Sequence, residues 1–108
     1  MNFDLKNIFE QLKKVQSEVE TIKSQLANKT VYGESGGGMV NVEMTGNHRL
    51  RKINIADDLM NTNDKIMIAD LIVAAVNNAY QQADELNKNE MGKLQSFIPN
   101  IPGLNLNL

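Results

Sequence analysis

Ile66-Met67-Ile68-Ala69-Asp70-Leu71-Ile72-Val73-Ala74-Ala75-Val76 is apolar at every place but Asp70. Asn61-Thr62-Asn63-Asp64 offers capping side chains just ahead of it, and no Gly or Pro follows before Gly92. The pattern predicts a helix from about Lys65 to about Leu94, with Gly92 as an earlier stop. A helix apolar on nearly all sides must be buried on nearly all sides. One small sheet covers a single side, so a second copy of the chain is the simplest cover for the other. Ile68, Leu71, Ile72, Ala75, Val76 and Ala79 are the expected dimer interface. With Asp70 inside it, the stretch is too short to span a bilayer.

Upstream, the hydrophobic period changes from helical to alternating. Thr30-Val31-Tyr32-Gly33-Glu34 reads as a short strand. Ser35-Gly36-Gly37-Gly38 reads as a turn whose glycines permit positive φ. Met39 to Thr45 alternates, with Val40, Val42 and Met44 on one face. Gly46-Asn47 is a hairpin signal, and Arg49 to Ile55 returns as a third strand with Arg51, Ile53 and Ile55 sharing a face. Asp57-Asp58 starts a short helical turn that runs through Met60.

Ahead of the strands, residues 4–27 predict one long helix. Leu5, Ile8, Leu12, Val15, Val19, Ile22 and Leu26 step by three and four, which is a heptad seam, and Asp4 is placed to cap its start. At 1.5 Å per residue the helix is roughly 35 Å long, more than so small a sheet can cover. Part of it is expected to project as an arm. After Tyr80 the second long helix turns polar, and Ala79, Ala83 and Leu86 continue a narrow stripe expected to pack on the seam of the first. The fold class is α+β: a long N-terminal helix, a three-stranded antiparallel β-meander and a long C-terminal helix, paired into a homodimer with projecting helical arms. Residues 97–108 form an apolar Pro/Gly/Asn tail, expected to be extended and mobile unless its apolar residues dock.

A chain of 108 residues, 42% hydrophobic, is one domain with a small core. Its net charge of −2 argues against a histone-like, strongly basic binder. Local cation clusters can still steer a polyanion. With no cysteine, disulfides and thiolate chemistry are excluded. The first six residues carry Asp4 and Lys6 and open no apolar run, so no signal peptide is read and the expected location is cytoplasmic.

Several segments resemble one known family in order and spacing. Gly33-Glu34-Ser35-Gly36-Gly37-Gly38-Met39-Val40-Asn41-Val42 is similar to the G-E-S-G-x-G-x-V-x-V signature of the YbaB/EbfC family. The resemblance continues through Gly46 and His48, the basic pair Arg51-Lys52, and Ile53 and Ile55. It resumes in Asp70-Leu71-Ile72-Val73-Ala74-Ala75-Val76-Asn77-Asn78-Ala79 and closes on Ile101-Pro102-Gly103-Leu104. One departure is Ile55-Ala56-Asp57, where the family often has Ile-Asp-Pro. The resemblance implies a tweezer-like homodimer at the bacterial nucleoid that binds DNA, with a role in nucleoid organisation or gene regulation. Residues 1–96 would then be the DNA-binding and dimerisation domain.

The candidate DNA contacts are Lys6, Lys13 and Lys14 on the first helix, His48, Arg49, Arg51 and Lys52 around the hairpin, and Lys88 near the end of the second long helix. Lysines in the first turns of a helix oppose its dipole, which hints at a use outside the helix, such as phosphate contact; an ordinary solvated face is the plainer alternative. Glu10, Glu18 and Glu20 dilute that face. The hairpin cluster reads either as phosphate anchoring or as charges that guard an edge strand. For Lys88 and Lys93 the first reading is that they complement the dipole of their helix end, with an arm-tip DNA surface as the second.

Other chemistry is excluded by pattern. The triple glycine is followed by no Gly-Lys-Ser/Thr and opens no helix, so it is no phosphate loop. Asp57, Asp58 and Asp64 fit no calcium loop. The one histidine has no cysteine and no nucleophile-elbow serine to work with, so no catalysis, cofactor or small-molecule substrate is expected. The expected partners are DNA and a second copy of the chain, with a dimeric adaptor module, built on the arms and the apolar tail, as the competing reading.

Overall fold

The computed structural model describes residues 4–97. Its elements are α1 (Leu5–Asn28), β1 (Thr30–Ser35), β2 (Val40–Thr45), β3 (Leu50–Ile55), α2 (Asp57–Met60) and α3 (Lys65–Gly92), with 3₁₀ turns at Gly36–Gly38 and Lys93–Phe97. The expected tail from residue 98 onward lies outside the described residues.

Both long helices start on an aspartate. The Asp4 side chain accepts from the Asn7 amide at 3.3 Å, and Asp64 accepts from the Met67 amide at 3.0 Å. Each satisfies one of the amides that a helix start leaves without a partner. The strands form an antiparallel sheet in the order β1-β2-β3, and α3 lies across β1 and β2. Val40, Val42 and Met44 meet Ala75, Ala79, Ala83 and Leu59 in the core, with Ile68, Leu71, Ile72 and Val76 packed around them. A second cluster joins Ile22, Leu26 and Leu94, with Val19, Leu86 and Met91 against it. The stripe expected to run along α1 therefore divides. Ala79 and Ala83 still face the sheet, and only Leu86, where α3 has passed the sheet's end, reaches α1.

Gly33 sets the distance between β1 and α3. A Cβ built there would collide with the Ala75 carbonyl oxygen and the Ala79 amide, and would stand 2.8 Å from the Ala79 Cα. Gly46 works the same way beside α1, since its Cβ would lie 2.7 Å from the Leu26 carbonyl oxygen. Gly46 also occupies the hairpin turn that its sequence position implied, closed by the His48 amide donating to the Thr45 carbonyl at 3.0 Å, while the positive φ of the hairpin falls on His48, at 68°. The glycines at 36, 37 and 38 do take positive φ (61°, 65° and 90°), as expected.

The β2–β3 ladder contains a bulge. Glu43 faces Lys52 but Met44 faces Leu50, which leaves Arg51 as the extra residue. Leu50, not Arg51, thus continues the apolar face of Ile53 and Ile55. An unbroken register would have set the Arg51 side chain on that face instead.

Past the sheet, α3 and the 3₁₀ turn after it run back along the last turns of α1. Lys29 Nζ and Lys93 Nζ each lie 3.1 Å from Glu90 Oε1, and the carboxylate is nearly enclosed. The Gly46 amide donates to the Lys29 carbonyl at 3.0 Å, and Asn87 donates to the Gly46 carbonyl. The part of α1 before Val19 projects, and the molecule measures 72 × 24 × 16 Å.

Replacing Gly33 by Ala should lower unfolding stability by about 2 kcal/mol, the range of overpacking strain. Gly37→Ala, which meets no atom within 4 Å, should cost only about 1 kcal/mol from its left-handed φ. Urea titration distinguishes them. Hydrogen bonds from Lys29 and then Lys93 hold the Glu90 carboxyl below its ordinary value of 4.5. A lowered folded value means stability present above 4.5 and lost as pH falls through the folded value. Urea midpoints of the wild type should exceed those of Glu90→Gln above that pH and approach them in acid.

Candidate nucleic-acid interface

The seam of α1 and its lysines occupy different faces. Leu5, Leu12, Val15 and Val19 share one side, while Lys6 and Lys13, seven residues apart, point away from it with Lys14 beside them. All three lysines are exposed on the projecting half of the helix, and none forms an ion pair among the described residues.

The hairpin is anchored before it is charged. His48 Nε2 donates to Asp84 Oδ1 at 2.7 Å, and its ring stands 4.3 Å from that of Tyr80. The Thr45 amide donates to the Arg49 carbonyl at 2.8 Å, and the Arg49 amide donates to Thr45 Oγ1 at 3.0 Å. His48 is thus engaged by α3, while Arg49, Arg51 and Lys52 are exposed and unpaired among the described residues. Arg49 and Arg51 join Asn28, Thr45 and Asn47 around an open cleft of about 350 Å³ beside the end of α1. The bulge turns Arg51 out of the apolar face and into this group. Lys88 is exposed on α3; Lys93 is held by Glu90. The structure therefore keeps the expected cations in three separate places: the arm, the hairpin and the end of α3.

The expected dimer residues are divided by their own sheet. Ala75 and Ala79 are wholly covered within the chain, and Ile68, Leu71, Ile72 and Val76 are half-covered by the same core. A different stripe is open. Ile66 is 77% exposed and Val73 58%, with Tyr80 also exposed seven residues on. Ala69 and Val76 fill the steps between them, so the spacing is 3-4-3-4 along one side of α3. Leu50 and Ile53 of β3, which α3 does not cover, are exposed as well. Sequence reading missed this stripe because an all-apolar run hides two faces inside one. The repeat at 66, 73 and 80 was the available signal. It also passed over Lys23 and Lys65, two further exposed cations.

Among the described residues no three His, Cys, Asp or Glu side chains gather as a metal site would need, and no helix there is long and apolar enough to cross a membrane. What the surface presents is separated cations and an uncovered apolar stripe.

Comparison with known proteins bears on the family and the fold. A nucleoid-associated protein of Desulfotalea psychrophila is 39% identical over 101 residues, covering 94% of each chain. One of Psychrobacter arcticus is 44% identical over 92 residues, covering 85% of this chain and 84% of its own. The crystal structure of an uncharacterized protein from Helicobacter pylori superposes with a TM-score of 0.76 over 87% of this chain and 99% of that one; at 24% identity it bears on the fold alone. The model of the YbaB/EbfC DNA-binding family matches residues 1–97. With that match spanning the helix, meander and helix described above, the chain belongs to the YbaB/EbfC DNA-binding family.

Proposed function

We propose that the protein binds DNA as a homodimer, mainly through backbone phosphates, and works at the nucleoid in its organisation or in gene regulation. The carrying observation is that Lys6, Lys13, Lys14, Arg49, Arg51, Lys52 and Lys88 are all exposed and without an ion-pair partner among the described residues. Cations spread over a projecting helix and a rigid hairpin suit a repeating polyanion better than a compact ligand. The relatives' names supply the nucleoid location and, with the family, the choice of DNA.

Dimerisation is drawn from the open stripe. A second copy laid on Ile66, Val73 and Tyr80, with Leu50 and Ile53 beside them, would remove apolar surface worth about 25 cal/mol per Å². It would also display every basic cluster twice, which the modest charge of one chain requires for useful affinity. A dimeric adaptor module is the competing reading, and the exposed seam of α1 is what favours it. A protein that co-purifies after nuclease treatment would speak for that reading.

Fluorescence anisotropy with duplex DNA at several salt concentrations tests the proposal. Binding should weaken with salt, and Lys13→Glu with Lys14→Glu should flatten the log K against log[salt] slope by about 2 per engaged arm without altering oligomeric state. No binding at low salt would end the DNA reading. Separately, Val73→Asp should convert a dimer to a folded monomer in sedimentation, since that side chain is exposed within its own chain. A monomeric wild type at working concentration would end the dimer reading.

A further inference from the structure

The outer half of α1 carries an apolar seam that no described residue covers. Leu5 is 62% exposed and Phe9 61%; Leu12 is exposed too, and Ile8 and Val15 are only half-covered. Its inner continuation is covered, because Val19, Ile22 and Leu26 pack with Leu94 from the turn after α3. The order of these contacts gives the direction of the chain. Glu90 meets Lys29 at the last turn of α1, and Leu94, farther along, packs where Ile22 and Val19 lie, one to three turns earlier. The chain therefore reaches Phe97 heading toward the free end of α1, at the inner limit of the open seam.

The sequence continues as Ile98-Pro99-Asn100-Ile101-Pro102-Gly103-Leu104, and no charged residue occurs between 98 and 108. The two prolines stop the helix and favour polyproline II, which has three residues per turn. In that form Ile98, Ile101 and Leu104 fall on one edge. Six steps at 3.1 Å carry this edge about 19 Å, and the seam from Val19 to Leu5 runs about 21 Å. Prolines also restrict the free segment, so docking it loses less entropy.

We propose that residues 98–104 lie along the α1 seam of their own chain as an apolar strap. The strap covers Leu5 to Val15, stiffens the arm, and leaves Lys6, Lys13 and Lys14 free on the other face. The chain's lack of cysteine allows a direct test. L12C/I101C and, as a control on the opposite face, E10C/I101C would be made in the full chain. Unlabelled and ¹⁵N-labelled forms of each would then be mixed, oxidised mildly and read by mass spectrometry of the linked peptides. The expected result is a disulfide within one chain, formed at least about fivefold more readily for L12C/I101C than for the control, because docking raises the local thiol concentration. Links that join differently labelled chains would assign the seam to a second copy and overturn the proposal, as would equal yields from the two pairs. In hydrogen exchange, full-length I101D/L104D should open the amides of residues 8–15 about tenfold faster than the wild type while those of β2 stay unchanged. Unchanged exchange in residues 8–15 would overturn it. Neither readout involves DNA, so the strap and the DNA reading stand or fall separately.

Discussion

Where β1 crosses α3, two backbones meet with no side chain between them. Gly33 lies against the Ala75 carbonyl and the Ala79 amide, and the helix answers with Ala75, Ala79 and Ala83, all wholly covered. Small residues on both partners let sheet and helix close to a distance that larger ones forbid, and density at that contact fixes the rest. The closeness places α3 over β1 and β2, leaves β3 uncovered, and carries the end of α3 past the sheet to meet α1.

The chain is acidic in total, yet four of its thirteen acids have local partners. Asp4 and Asp64 cap the long helices, Asp84 holds His48, and Glu90 is enclosed by Lys29 and Lys93. Glu90 alone of these is nearly enclosed, whereas the lysines of the arm and the arginines of the hairpin have no ion-pair partner among the described residues. Net charge and surface potential are different quantities, and a binder of polyanions can carry a negative sum.

Most of the architecture was legible because period and punctuation agree. The seam from Leu5 to Leu26, the alternation of Val40, Val42 and Met44, and the aspartate caps each point to one element, and each element is where its pattern placed it. Gly46 marks the hairpin turn as its position implied, but its second role, close approach to Leu26, leaves no trace in local sequence. The Arg51 bulge was hidden likewise: a one-residue slip depends on what stands across the ladder, and nothing within Arg49 to Ile55 announces it. Among site residues, types and regions were legible, but engagement was not. Only the fold shows that the His48 ring is occupied, that Lys93 is tied to a buried carboxylate, and that Ala75 and Ala79 face inward while Ile66, Val73 and Tyr80 face out.

The joint at Leu26, Gly46 and Glu90 is also a pivot. A helix clamped over its last two turns behaves as a cantilever, so rotation at the clamp is multiplied by the length beyond it. For the roughly 21 Å of α1 beyond its packed inner turns, a tilt of about ten degrees sweeps the tip by about 4 Å, close to the rise of one base pair along a duplex. Small repacking around Leu26 therefore moves Lys6, near the tip, by several ångströms and Lys13 and Lys14 by less, without remodelling the core.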